Sequence, residues 1–435
     1  MLSNPAKSAI FRPVFNPFLK RSTPPRSPAS LFALGAQGAW YDPSDLSTLF
    51  QDNAGTVPVT AVEQPVGLML DKSGRENNIV STADARRPVL RAKYNLLERT
   101  EEFDNEYWTK TTATVTPNAV LAPNGTMTAD QVDLGAASTS SITRSVTGNG
   151  YEDTRIIKIW IRASSTLQIR FGEDQSGIQT ITVTDVWQQF TFSASRNYAE
   201  NYLFTIRNSS GGGAKTIYLW GAQALTPSDE IITGGVYQRV GASTDYDTGP
   251  AWLPYLDFDG VDDCLTKASG IFNNTNDKIT IFVGLWTRAI APSGLGVVVE
   301  SSSSTTSNPG TFHIQVPPGS FSATFRFFSR GSSLPDSLTG TLGVTYPERV
   351  FTCTGSNANP TLRTIRRNGI KVVESSSNPG SGNFTAQPLF VGARNDSSGR
   401  YRGRLYSLVI LGREASIDEI TATEQWIAGK TGENI

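Results

Sequence analysis

The chain has 435 residues, enough for two to four domains of ordinary size. Its formal net charge of −1 gives no large field for drawing in nucleic acid or an anionic membrane, and no apolar run nears the ~20 residues that span a bilayer. Charged residues make up only 18 % and aromatics reach 10 %, while Gly and Pro are plentiful, which suits many short strands joined by turns rather than disorder.

Residues 1–30 are Pro-rich and contain no Asp or Glu. Lys7, Arg12, Lys20, Arg21 and Arg26 are interleaved with Phe11, Phe15 and Phe18. Such a segment is either a free tail or a docking peptide that orders on a larger assembly, with Phe11, Arg12, Phe15, Phe18, Lys20 and Arg21 as its contacts. No uninterrupted apolar stretch here suggests a secretory signal.

Residues 31–92 hold only a few short apolar runs. Trp40 and Tyr41 end a strand, Asp42-Pro-Ser-Asp45 turns the chain, residues 57–62 alternate as a strand would, and 66–70 form another apolar run. This is too little to bury a core alone, so the segment needs a partner elsewhere in the chain. Residues 93–248 carry better-patterned strands. The isoleucines of Ile157-Lys-Ile-Trp-Ile161 share one face, and Lys158 and Trp160 share the other. In Leu167-Gln-Ile-Arg-Phe171, Gln168 and Arg170 oppose the apolar set. About eight such strands predict an antiparallel sandwich.

From residue 250 the pattern resumes. Leu256 and Phe258 alternate with Asp257 and Asp259, which predicts a half-buried strand at the edge of a sandwich. Asp259-Gly260 turns the chain. Strands follow at 279–286, 297–299, 312–316, 323–328, 350–353, 388–392 and 403–411. Asn368-Gly369 predicts a hairpin, and Ser416 with Glu419 predicts a capped C-terminal helix.

Few residues invite catalysis. The one histidine, His313, lies in a strand with no nucleophile motif nearby. Cys264 and Cys353 read as buried free thiols, with a disulfide as the alternative. The carboxylates Asp257, Asp259, Asp262 and Asp263 have three readings: turn-forming residues, ligands for Ca²⁺, or an acid and nucleophile flanking a glycosidic bond. Ca²⁺ is the only cofactor any of these readings calls for. The polar face formed by Lys158, Trp160, Arg162, Gln168 and Arg170 is the best binding candidate. An aromatic ring there can stack on a sugar while planar polar groups bond its hydroxyls.

Leu256-Asp-Phe-Asp-Gly-Val-Asp-Asp263 resembles the strand-turn signature of concanavalin/laminin-G-like jelly rolls, in the variant found in tailed-bacteriophage virion proteins. Gly38-Ala-Trp-Tyr-Asp-Pro-Ser-Asp45, Asp71-Lys-Ser-Gly74 and Arg87-Pro88 resemble its front end, and Tyr401-Arg-Gly-Arg-Leu-Tyr-Ser407 its back end. Phe103-Asp-Asn-Glu-Tyr-Trp108 and Trp220-Gly-Ala-Gln223 are similar to carbohydrate-binding-module-like jelly rolls of phage tail and head-fibre proteins. The fold expected is all-β: two antiparallel β-sandwich (jelly-roll) domains, one inserted into the other, with a simple tandem of three units as the alternative. The boundaries are an extended docking arm at 1–36, the first part of the jelly roll at 37–92, the insert at 93–248, and the remainder with a short C-terminal helix at 249–435.

The resemblance implies a non-enzymatic virion protein at the particle surface, assembled in the host cytoplasm. It would be held to other virion proteins by its arm, recognise host-surface glycans on a tail or fibre, and form a homo-oligomer such as a trimer. A capsid decoration or head-fibre protein is the alternative, and a glycan depolymerase is disfavoured by the missing carboxylate pair. Nucleic acid and membrane insertion are not expected.

Overall fold

The computed structural model describes residues 27–147, 153–174, 177–196, 201–209, 213–287, 296–304, 308–316, 324–333, 338–341, 349–357, 363–375 and 379–435. Phe11, Arg12, Phe15, Phe18, Lys20 and Arg21 lie outside the described residues. The strands pair antiparallel throughout. No helix among the described residues is long and apolar enough to cross a membrane.

Two sheets share one core and draw strands from both ends of the chain. The first runs Ile370–Ser375, Arg363–Arg367, Arg349–Ser356, Lys278–Thr287, Arg402–Leu411, Tyr255–Asp259, Val89–Arg91, with Gly38–Tyr41 also paired to Arg402–Leu411. The second begins with Leu49–Phe50, Leu68–Met69 and Ile79–Val80 and continues through Leu265–Lys267, Leu389–Val391 and Gly296–Ser301 to Thr311–Val316, Thr324–Arg330 and Leu338–Thr341. Tyr41, Leu49, Met69, Ile79 and Leu90 are buried in the same cluster as Phe258, Ile281, Phe312, Phe327 and Ile410. The early segment thus buries its apolar side chains against residues more than 160 positions away, a length of chain it could not replace by itself.

Residues 109–225 form a second sandwich with its own core. One sheet runs Gln188–Arg196, Asp153–Ala163, Lys215–Leu225, Ala129–Leu134, Ala113–Val120; the other runs Gly177–Val183, Leu167–Glu173, Asn201–Asn208, Ser141–Thr147, Thr109–Thr111. Ile157, Ile159 and Ile161 meet Ile169, Phe171, Phe204 and Trp108 between the sheets. The chain enters and leaves this sandwich side by side. Gln238 fastens the two passages: its Oε1 accepts from the Tyr94 and Asn95 N–H groups at 2.8 and 3.1 Å, and its Nε2 donates to the Ala92 carbonyl at 2.8 Å.

Helix α1 (Pro227–Ile232), capped by the Thr226 hydroxyl, rivets the two sandwiches. Its Asp229 accepts from Arg404 at 2.7 Å, and both side chains are buried. The Arg404 guanidinium sits 4.6 Å from the Tyr255 and Trp286 ring centres and 5.3 Å from that of Tyr94. Helix α2 (Ile417–Thr431) covers the outer face of the first sheet together with the 3₁₀ segment Pro28–Gly35. Its capping box pairs Ser416 with Glu419, and it ends in a left-handed Gly432; Gly429 stays inside the helix rather than stopping it.

Two local expectations fail for identifiable reasons. Residues 57–62 do not form a strand: Pro58 has no N–H to give a ladder and makes only an isolated bridge to Phe50. Tyr255–Asp259 is not an edge strand, because it pairs on both sides, with Arg402–Leu411 and with Val89–Arg91. Nor is it half-buried: Asp257 is 5 % exposed, its charge met by Arg91.

Removing either member of a buried ion pair leaves the other uncompensated. Asp229→Ala is expected to cost about 3–5 kcal/mol and to separate the unfolding of the two sandwiches in calorimetry. A fragment of residues 250–435 is expected to be insoluble or to lack a cooperative melt, whereas 93–248 melts cooperatively. A well-folded 250–435 fragment would show that the early strands are dispensable.

Candidate functional site

The outer face of the sheet centred on Asp153–Ala163 carries a cluster of aromatic rings. Strand alternation turns Ile157, Ile159 and Ile161 inward and Trp160 and Arg162 outward. The neighbouring strand Lys215–Leu225 places Trp220 opposite Trp160 and Tyr218 opposite Arg162. Just beyond, the ladder shifts register, and Gly221 takes φ +68, which a residue with a Cβ rarely adopts. That bulge keeps Trp220 on the outer face while Ala222 and Ala224 return to the core.

Loops complete the face. Tyr237 packs on Trp220 with ring centres 4.6 Å apart, and Trp187 arrives from the turn before Gln188–Arg196. Three of the rings have their polar ends tied down: Trp220 Nε1 donates to Thr128 Oγ1 at 3.0 Å, Trp187 Nε1 to the Leu121 carbonyl at 3.0 Å, and the Tyr237 hydroxyl to Glu101 Oε1 at 3.1 Å. Trp160, Trp187 and Tyr237 keep part of their surface open, and the apolar rim residues Leu121 and Val186 are 55 % and 62 % exposed. Burial raises the Glu101 carboxyl above its usual range, with bonds from Tyr237, Thr128 and Trp220 opposing the shift.

The five residues singled out in the sequence do not form one site. Lys158 is buried and ion-paired to Glu230 of α1, which removes it from any ligand. Gln168 and Arg170 sit on Leu167–Glu173, in the opposite sheet, and point away from the other three; Arg170 donates to the Ile178 carbonyl at 3.3 Å. Only Trp160 and Arg162 remain together. Tyr218 and Trp220 could have been found from their alternation with Ile217 and Leu219. Trp187, Tyr237 and Glu101 reach the face from loops that carry no period.

At the acidic turn, Asp259, Asp262 and Asp263 bring carboxylate oxygens within 4.8 Å of one another, while Asp257 is drawn off by Arg91. Asp259 Oδ1 accepts from the Val261 N–H at 2.7 Å, and Asp263 Oδ2 from the Asp259 N–H at 2.8 Å. Burial, with the neighbouring aspartates adding to it, pushes the Asp263 carboxyl up to about 7. These bonds are turn chemistry. Three carboxylates would supply only part of the six to eight oxygens that Ca²⁺ takes.

His313 is buried and stacked on Phe328, ring centres 4.0 Å apart, and neither ring nitrogen has a hydrogen-bond partner among the described residues. Burial and Arg394 hold its pKa down to about 3. Glu300 lies directly across the ladder, and burial pushes its carboxyl up to about 7 against the pull of Arg394. Cys264 and Cys353 are buried free thiols.

No family model and no curated protein matches the chain. Among solved structures, the CBM40 domain of the Ruminococcus gnavus IT-sialidase bound to α2,3-sialyllactose is 12 % identical, covering 37 % of this chain and 97 % of that one, with a TM-score of 0.27. Domain 4 of AbnA, an extracellular arabinanase of Geobacillus stearothermophilus in complex with arabinotriose, is 12 % identical over 42 % of this chain and 82 % of that one, TM-score 0.30. The enzymatically active domain of tailspike protein 4 from bacteriophage CBA120 is 16 % identical over 31 % of this chain and 22 % of that one, TM-score 0.23.

The Glu300–His313 pair predicts opposed pH effects on stability. Glu300 favours the folded state while protonated, so its contribution is complete below pH ~4.5 and is lost as pH rises through about 7. His313 favours the folded state while neutral, so its contribution is complete above pH ~6.5 and is lost as pH falls toward about 3. Melting curves across this range should show Glu300→Gln gaining on the parent chain above pH 7, and His313→Gln gaining on it below pH 5.

Proposed function

We propose that the chain is a non-enzymatic glycan-binding protein that attaches a phage particle to its host surface, and that the aromatic face of the 109–225 sandwich is the binding surface. The observation that carries this reading is the cluster Trp160, Trp187, Trp220 and Tyr237, in which the polar ends of Trp187, Trp220 and Tyr237 are fixed and Trp160, Trp187 and Tyr237 keep ring surface partly open. Rings held rigid lose little entropy on binding, and their faces match the apolar C–H surface of a pyranose. Glu101 and Arg162 supply bonds for sugar hydroxyls. The virion setting, the arm as an anchor and a trimeric assembly rest on the resemblance of Leu256–Asp263 and the composition of residues 1–30.

Glycan arrays and whole-cell binding with the purified chain test this reading. Trp160→Ala is expected to weaken binding about tenfold, the scale of ~1.4 kcal/mol for one lost aromatic contact, with the melting temperature little changed. A chain that binds no glycan and no cell, yet is still carried onto particles by residues 1–30, would instead be a structural decoration protein.

A further inference from the structure

We infer that this face selects a glycan bearing a carboxylate, and that Arg162 is the residue that reads it. The inference deepens the glycan-binding reading and rests on it. Arg162 lies on the same strand face as Trp160, two residues on, so about 7 Å of strand separates them, close to the span of one sugar unit. Its guanidinium is 5.3 Å from the Trp187 ring centre and 5.1 Å from that of Tyr218. Two rings therefore fix the cation in place without neutralising it.

No hydrogen bond or ion pair engages Arg162 among the described residues, and its Nε is buried without a partner. The neighbouring cations differ. Lys158 is paired with Glu230, and Arg239 with Asp245 at 2.8 Å. A half-buried guanidinium has lost water and gained no anion in return. A carboxylate supplies what is missing, because its two oxygens match two parallel N–H groups of the planar fork. A hydroxyl offers one acceptor and no charge, and a sulfate ester, though two of its oxygens can also span the fork, spreads its charge over three oxygens that are each a weaker acceptor.

The test uses the full chain against polygalacturonate, alginate and polysialic acid, each beside its own carboxyl-reduced form, with dextran sulfate as a second anion. Expected is at least tenfold tighter binding of one native polymer than of its reduced form. Arg162→Gln should bring the native polymer down to the reduced level, and Arg162→Lys should restore only part of the difference, with unchanged melting for both. Equal affinity for native and reduced polymers, or a preference that survives Arg162→Gln, overturns the inference. So does binding of dextran sulfate as tight as that of the best carboxylate polymer. If Trp160→Ala abolishes binding of the reduced polymers while Arg162→Gln changes nothing, glycan binding stands and the carboxylate inference falls. If no polymer binds in either form, both fall.

Discussion

Strand Arg402–Leu411 is where the molecule closes. It pairs with Gly38–Tyr41, with Tyr255–Asp259 and with Lys278–Thr287, joining three stretches of the sequence in one ladder. A backbone buried in a sheet must place its N–H and C=O groups on neighbours, so a missing strand would leave polar groups stranded in the core. The approach is tight. A Cβ at Gly38 would lie 1.9 Å from the Ile410 carbonyl oxygen, and Gly38 adopts φ +134 to fit there. The shared core, the covering helix α2 and the buried Arg404 all follow from this pairing.

Much of the fold was legible because it follows a period of two. The alternation in Ile157–Ile161, the Asn368-Gly369 hairpin with both residues at positive φ, and the Ser416–Glu419 cap are local signals, and the structure follows each. What alternation cannot encode is which face a second layer covers. Asp257 looked solvent-facing because its partner, Arg91, lies 166 positions away in sequence. Lys158 looked available for the same reason, since Glu230 arrives only with the fold. The aromatic face was half legible: Trp160 and Arg162 announce themselves on a strand, but Gln168 and Arg170 obey the same alternation in the opposite sheet. Periodicity assigns a face to a strand and says nothing about which sheet the strand joins.

Helix α1 shows how two jobs can be assigned to adjacent carboxylates. Glu230 turns back to Lys158 on its own sandwich, and Asp229 reaches the other sandwich at Arg404. The first removes a cation from the aromatic face, leaving Arg162 as the cation beside Trp160. The second holds the orientation of that face relative to the 38–92 and 255–411 strands. Surface chemistry and domain orientation are therefore coupled through six residues.

The pairing of Gly38–Tyr41 with residues 408–411 also governs the order in which the protein can be made. On the ribosome, the 109–225 sandwich has all its strands once it has emerged, and it can fold while the rest of the chain is still being synthesised. The surrounding sandwich cannot close until strand Arg402–Leu411 is released, so Gly38–Tyr41 waits through more than 300 residues of translation without its partner. Contacts this distant make for slow folding and a long exposure to mispairing. An early-folded insert holding its two flanking passages together at Gln238 shortens the effective loop that must close, which makes the insert a folding aid for its host as well as its outward face.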